Sequence, residues 1–270
     1  MSTNIHAAQK PLIYQIGKHV KLVDDATFCK SIIADGKELI TGEEYGAIRV
    51  LELKDEKVYI TFKEDLTSLA NAFSGCSALK SIPENFFANC PKATDFSFTF
   101  FGCKALTAIP EGLFANNPKV TIFQGTFSYC SALKSLPANL FANNRKVNSF
   151  RLTFSGCSAL KSIPENLFAN NSAVTDFFRT FYGCLALKSI PSSLFDNNRK
   201  VSSFSFTCTF HGCSALTGES PYTMIDGQKV HLYERANYPE HFTKLTVFWE
   251  CFKNCTGLTD YAQIPTNWKE

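Results

Sequence analysis

The chain has 270 residues, 45% of them hydrophobic and 19% charged, with a formal net charge of +3. This composition excludes a disordered or collagen-like chain, and no apolar run approaches the roughly 18 residues of a membrane-spanning helix. Phe occurs 26 times and Cys 11 times, both in excess.

Residues 1–62 read as a β-rich segment. They hold the β-prone runs KHVKLV, AIRVLEL and KVYITF, separated by DD, ADGK, TGEEYG and KDEK turns. The segment fits either a cap over an apolar edge or a separate attachment domain. The N-terminus lacks a charged stretch followed by an apolar one, so no export leader is visible.

Residues 63–217 are a repeat array. Cys76, Cys103, Cys130, Cys157 and Cys184 are each 27 residues apart, and Cys213 and Cys255 continue the series after insertions. A fixed period of this size marks stacked repeats that bury one continuous core. Each copy supplies Phe, Cys, Leu, Ile or Leu, a Leu-Phe or Phe-Phe pair, a small apolar residue and a second Phe, the last at 96, 123, 150, 177 and 204. ALKSIP reads as a short parallel strand, PENLFANN as a helical turn opened by Pro, and VTDFSFTF as a second extended segment. The expected fold class is therefore an α/β repeat solenoid with short parallel strands, short helical turns and capped ends.

Gly75, Gly102, Gly156, Gly183 and Gly212 suit a tight corner. Tyr129 and Asn254 replace them elsewhere, which argues against an obligatory positive φ. Asn89, Asn116, Asn143, Asn170 and Asn197 are expected to bond turn backbone in a ladder.

Residues 218–270 break the period. Glu219 stands where a core Ile is due, an insertion follows, and a final copy starts at Phe252, with Trp268 placed to cover its end.

The unit F-x-G-C-x-A-L-x-x-I-P resembles the leucine-rich repeats of the BspA-like (bacterial surface protein A-like) family over about 150 residues and the terminal copy. The stretches GESPYTMIDGQKVHLYER and CFKNCTGLTDYAQIPTNW are similar to the closing segment of such proteins. The resemblance implies a right-handed leucine-rich-repeat coil with a 27-residue period. It also implies a cell-surface or extracellular bacterial protein linked to adhesion. The absence of a visible leader leaves a cytoplasmic or virion-associated place open, and with it a phage decoration or fibre protein.

Residue chemistry points to binding rather than catalysis, with no cofactor and no metal. The ladder Cys read as buried apolar fillers, with Cys90 and Cys208 off the ladder and open to solvent. Cys251 and Cys255 lack a second pair at zinc spacing. The five His are scattered, and His211 reads as a surface residue. An enzyme would need His231 and His241 gathered with carboxylates in one cleft.

The array alone is basic, with 13 basic against 6 acidic residues over 66–217. Lys80, Lys134, Lys161 and Lys188 share one repeat position and form a candidate stripe for an anionic ligand. Nucleic acid is disfavoured, because Lys outnumbers Arg there by 9 to 4 and no recognition motif occurs. The preferred binding face is made by residues that differ between otherwise constant copies: Phe98, Phe101, Arg151, Phe178, Arg179, Tyr182 and Phe206. Its expected partner is a protein or glycan on an exposed surface.

Overall fold

The computed structural model describes residues 10–40, 46–202, 204–243 and 249–270. His6 and most of the TGEEYG turn lie outside these residues.

The expected α/β solenoid with parallel strands and helical turns is overturned. The strands fall in separate sheets whose pairings are antiparallel. The helical segments among the described residues are short 3-10 turns at Ala26–Phe28, Leu232–Asn237 and Thr266–Trp268.

In the N-terminal segment β1 (Leu12–Tyr14), β3 (Cys29–Ala34), β4 (Lys37–Glu38) and β6 (Lys57–Phe62) join β7 (Leu79–Ser81) in the order β4-β3-β6-β1-β7. β2 (Gly17–Val23) pairs separately with β5 (Ile48–Leu53). Alternation in KVYITF puts Val58, Ile60 and Phe62 inside. Asp35-Gly36, both at positive φ, turn β3 into β4, as the right-handed strand twist favours. The same dipeptide, Asp226-Gly227, joins β8 (Tyr222–Ile225) to β9 (Gln228–His231).

The repeats themselves stack turn upon turn. The second extended segment shrinks to one parallel bridge per copy: Ser68 to Asp95, then Ile122, Ser149 and Asp176. Beyond it, alternate N–H groups donate to the following copy: Phe96 to Ile122, Phe98 to Gln124, Phe100 to Thr126 and Gly102 to Ser128. Intervening residues close i→i+3 turns, such as Thr99 N–H to Phe96 O at 3.3 Å.

Each copy also holds two left-handed residues four apart, among them Phe98 and Gly102, Gly125 and Tyr129, Leu152 and Gly156, and Arg179 and Gly183. Such residues end any regular strand or helix, and they cost about 1–3 kcal/mol each at non-glycine positions. The corner is left-handed whatever the residue: Tyr129 has φ 58° and Asn254 φ 65°. The stack enforces the backbone, and the side chain follows. PENLFANN is likewise too short to propagate a helix. It keeps i→i+3 bonds only, for example Leu167 N–H to Pro164 O at 3.2 Å.

The Phe excess builds three columns. One runs Phe73, Phe100, Phe127, Phe154, Phe181, Phe210 and Phe252, with near-parallel rings 5.4–5.8 Å apart. A second runs from Phe87 to Phe195 and a third from Phe96 to Phe206. Edge contacts join columns, as between Phe96 and Phe114 at 4.9 Å. Aromatic pairs of this kind contribute about 0.5–1.5 kcal/mol beyond burial.

Phe206 therefore belongs to the core. It is 1% exposed and stacks 5.7 Å from Phe177, whereas Phe204 is 54% exposed. The two residues inserted in this copy shift the Phe register, so Phe206 leaves the binding face to which its sequence position assigned it.

The ladder thiols are not inert fillers. The six that follow Cys76 each donate to a carbonyl of the preceding copy, as Cys130 Sγ does to Phe100 O at 3.2 Å and Cys157 Sγ to Phe127 O at 3.2 Å. Cys90 and Cys208 are also buried. Asn143, Asn170 and Asn197 do bond backbone, but at the surface. The interior ladder is the following residue: Asn117, Asn144, Asn171 and Asn198. Asn144 Nδ2 donates to Phe114 O at 3.2 Å and to Asn117 O at 2.8 Å. Cys90 fills this place in the first copy, where no preceding copy offers carbonyls. At the other end Arg235 takes the role of the next Asn, reaching Phe195 O at 2.9 Å and Asn198 O at 3.3 Å.

The ends match the direction of the ladder. The first copy presents unpaired carbonyls, and Asp24 N–H meets Ala72 O while Lys21 Nζ meets Ser74 O. The last copy presents N–H groups; Phe252 N–H meets Trp268 O at 2.8 Å, and the Trp268 indole stacks 6.0 Å from Phe252.

Candidate ligand-binding face

The inter-copy hydrogen bonds hold one left-handed corner of every repeat in line with the next. Side chains at and around that corner therefore form parallel surface columns. One column reads Ser97, Gln124, Arg151, Phe178, Thr207 and Trp249. Another reads Phe98, Gly125, Leu152, Arg179, Cys208 and Glu250. A third reads Phe101, Ser128, Ser155, Tyr182, His211 and Lys253.

Six of the seven predicted face residues lie in these columns, and they form two groups. In the first, Phe98 lies 6.0 Å from Phe101, and Phe101 lies 5.5 Å from Tyr129. Phe98 lies over Gly125, where an added Cβ would come within 2.4 Å of its ring. Tyr129 covers Gly156 in the same way, at 2.7 Å. In the second group the Arg151 guanidinium sits 3.9 Å over the Phe178 ring and 4.0 Å from Asp176. Arg179 reaches both Phe178 and Tyr182 at 5.1 Å, and Tyr182 lies 4.9 Å from His211. Guanidinium–ring contacts of this kind contribute about 0.5–1 kcal/mol each when exposed, and they pre-order the side chains a ligand would meet.

Two open hollows flank this group. One, of about 440 Å³, is lined by Phe178, Arg179, Thr207, Cys208, Trp249 and Glu250, with Glu270 at its rim. The other, of about 470 Å³, lies over Tyr129, Gly156, Tyr182, Gly183, Leu185 and His211.

Sequence reasoning missed Tyr129, Trp249 and the Cys208–His211–Glu250 group. Tyr129 occupies a glycine position, and that exception was the available signal. Trp249 and Glu250 reach the face because a 42-residue step, rather than 27, separates Cys208 from its equivalent. His211 is no simple surface residue. Its side chain is 18% exposed, Nδ1 lies 3.1 Å from Glu250 Oε2, and burial lowers its pKa against the pull of Glu250. Burial likewise raises the Cys208 thiol, with Arg179 acting in the opposite sense. Lys253, 2.7 Å away, holds the Glu250 carboxyl below its ordinary value.

The lysine stripe is exposed throughout. Lys161 N–H bonds Lys134 O and Lys188 N–H bonds Lys161 O, so these three are neighbours. Thr107 separates them from Lys80, which lies 3.6 Å from Glu56. His231 is clamped between Glu219 and Glu234, each at 3.0 Å, while His241 lies beside Glu240. No described helix is long and apolar enough to cross a membrane.

No family model matches the chain, and no curated protein does. Among solved structures it is similar to a leucine-rich repeat protein from Bacteroides ovatus, at 22% identity over 75% of this chain and 70% of that one, with a TM-score of 0.21. It is also similar to a TLR13–ssRNA13 complex, at 13% identity over 67% of this chain and 41% of that one, with a TM-score of 0.12.

Proposed function

We propose that this chain is a non-catalytic, repeat-type binding module whose ligand, a protein or a glycan, seats on the Arg151–Phe178–Arg179–Tyr182 group. The observation that carries this reading is the group itself: two guanidinium groups stacked on two aromatic rings, beside two open hollows. The core columns are nearly invariant from copy to copy, whereas this corner changes in every copy. Aromatic and Arg residues are the types that dominate binding energy at recognition surfaces. The resemblance to BspA-like repeats supports placing that recognition at a bacterial surface, in adhesion.

The test is a screen of the full chain against a glycan array and immobilised matrix proteins, followed by affinity at low and high salt. Affinity is expected to survive added salt and to fall at least about tenfold in Phe178→Ala, the size of an aromatic hot spot. A stripe of exposed Lys instead acts through charges screened over about 8 Å at physiological ionic strength. Affinity that collapses with salt and ignores Phe178→Ala would move the site to Lys134, Lys161 and Lys188.

A further inference from the structure

The corner columns meet at one place with chemistry that recognition does not use. Cys208 and Glu250 occupy equivalent positions in successive copies, both left-handed, at φ 55° and 56°. Cys208 N–H donates to Trp249 O at 2.9 Å, which fixes the two copies against each other. His211 follows one turn on from Cys208, its N–H donating to Cys208 O at 3.3 Å. Glu250 Oε2 then lies 3.7 Å from Cys208 Sγ and 3.1 Å from His211 Nδ1, and all three atoms lie within 4.8 Å of one another. His211 Nδ1 is buried and makes no hydrogen bond of good geometry.

We propose that Cys208, His211 and Glu250 bind one divalent transition-metal ion of the zinc class. Sulfur, imidazole nitrogen and a single carboxylate oxygen form a borderline-soft donor set that suits zinc and disfavours calcium or magnesium. Donor atoms around a tetrahedral zinc lie about 3.3–3.7 Å apart. Two of the separations already fall close to this range, and the third, Cys208 Sγ to His211 Nδ1, is within 4.8 Å.

Lys253 holds the other carboxylate oxygen, Oε1, at 2.7 Å and orients Oε2 toward the ion. Binding breaks the Cys208 S–H bond, forms the sulfur–metal bond and releases the proton to solvent. Thiolate and carboxylate together neutralise the ion, and around it Arg179 and Lys253 stand against Glu270. Three protein ligands leave a fourth position open, and two of them, Cys208 and Glu250, line the hollow shared with Phe178, Arg179 and Trp249. A water or a ligand oxygen suits that position.

The columns supply clean variants. Gly125 occupies the position equivalent to Cys208, and Ser128 the position equivalent to His211. Cys208→Gly and His211→Ser therefore remove ligands while keeping residues that the backbone already accepts. Glu250→Gln, at a side chain 31% exposed, removes the third without altering the corner.

The full chain, reduced and cleared of metal with a chelator, is titrated with Co²⁺ and then with competing Zn²⁺. One equivalent of Co²⁺ is expected to bind with a thiolate-to-cobalt charge-transfer band that Zn²⁺ abolishes. Each variant should lose the band or bind at least about tenfold more weakly, with its circular dichroism unchanged. A wild-type chain that shows no band overturns the proposal. So does a band that survives both Cys208→Gly and His211→Ser, since another thiol would then hold the ion. If one variant unfolds, Glu250→Gln decides in the same way.

Discussion

Asn143 and Asn144 are adjacent amides with opposite surroundings, and their replacement by Ala should separate the interior ladder from the surface one. Asn144 is 0% exposed, and its Nδ2 makes two hydrogen bonds to buried carbonyls of the preceding copy. Each such bond contributes about 1 kcal/mol net, and a buried carbonyl that loses a partner adds to the loss. Phe114 O and Asn117 O each keep one backbone partner, Asn117 N–H and Val120 N–H, so the carbonyl penalty is partial. Asn144 Oδ1 has no partner in the wild type, and its removal returns some stability. The balance is a loss of about 2 kcal/mol, or a melting temperature about 4–8 °C lower for a chain of this size.

Asn143 Nδ2 bonds Ala115 O at 3.0 Å in an exposed setting, where water substitutes, and Asn143→Ala should cost under about 0.5 kcal/mol. Urea unfolding followed by circular dichroism, with the fluorescence of Trp249 and Trp268 reporting the C-terminal end, measures both. Stacked repeats can unfold in parts, so the comparison rests on coincident transitions by the two probes. Equal losses in the two variants, or a larger loss for Asn143→Ala, would refute the assignment of the interior ladder.

Two further outcomes follow from the stack. Burial pushes the thiols of Cys76 and Cys157 up from 9.0 to about 12. The neutral thiol is the form the fold favours, so this stabilisation is complete below pH 9 and is lost as pH rises toward 12. Stability should fall over that window, less steeply in Cys157→Ala, and a flat profile between pH 9 and 11 would show the thiols to be solvated. Gly125→Ala should be more damaging than Gly183→Ala. Both positions have positive φ, but only the first would place a Cβ 2.4 Å from the Phe98 ring. Adding Phe98→Ala should recover most of the difference in melting temperature, and failure to do so would mean that the clash is not the cause.

The repeat period, the Phe and Cys positions that point inward, and the corner that varies were all legible in the chain. They rest on identity at a fixed spacing, and stacking converts equal sequence positions into equal environments. The same logic placed Phe98, Phe101, Arg151, Phe178, Arg179 and Tyr182 on one face.

It failed wherever the spacing changed. Phe206 moved inward because two inserted residues shifted its register, and Trp249 and Glu250 arrived through the 42-residue step. Secondary structure was also beyond local reading. ALKSIP carries a strand signal, yet among the described residues it forms a strand only in the first copy, as β7, and PENLFANN carries a helix signal but closes i→i+3 turns. The backbone in this stack is set by hydrogen bonds between residues mostly 26 to 28 apart in sequence, and those bonds outweigh the propensity of any eight-residue window. The choice of Asn144 over Asn143 was made there too. Both are Asn in the same motif, and only the carbonyls of the preceding copy determine which one is buried.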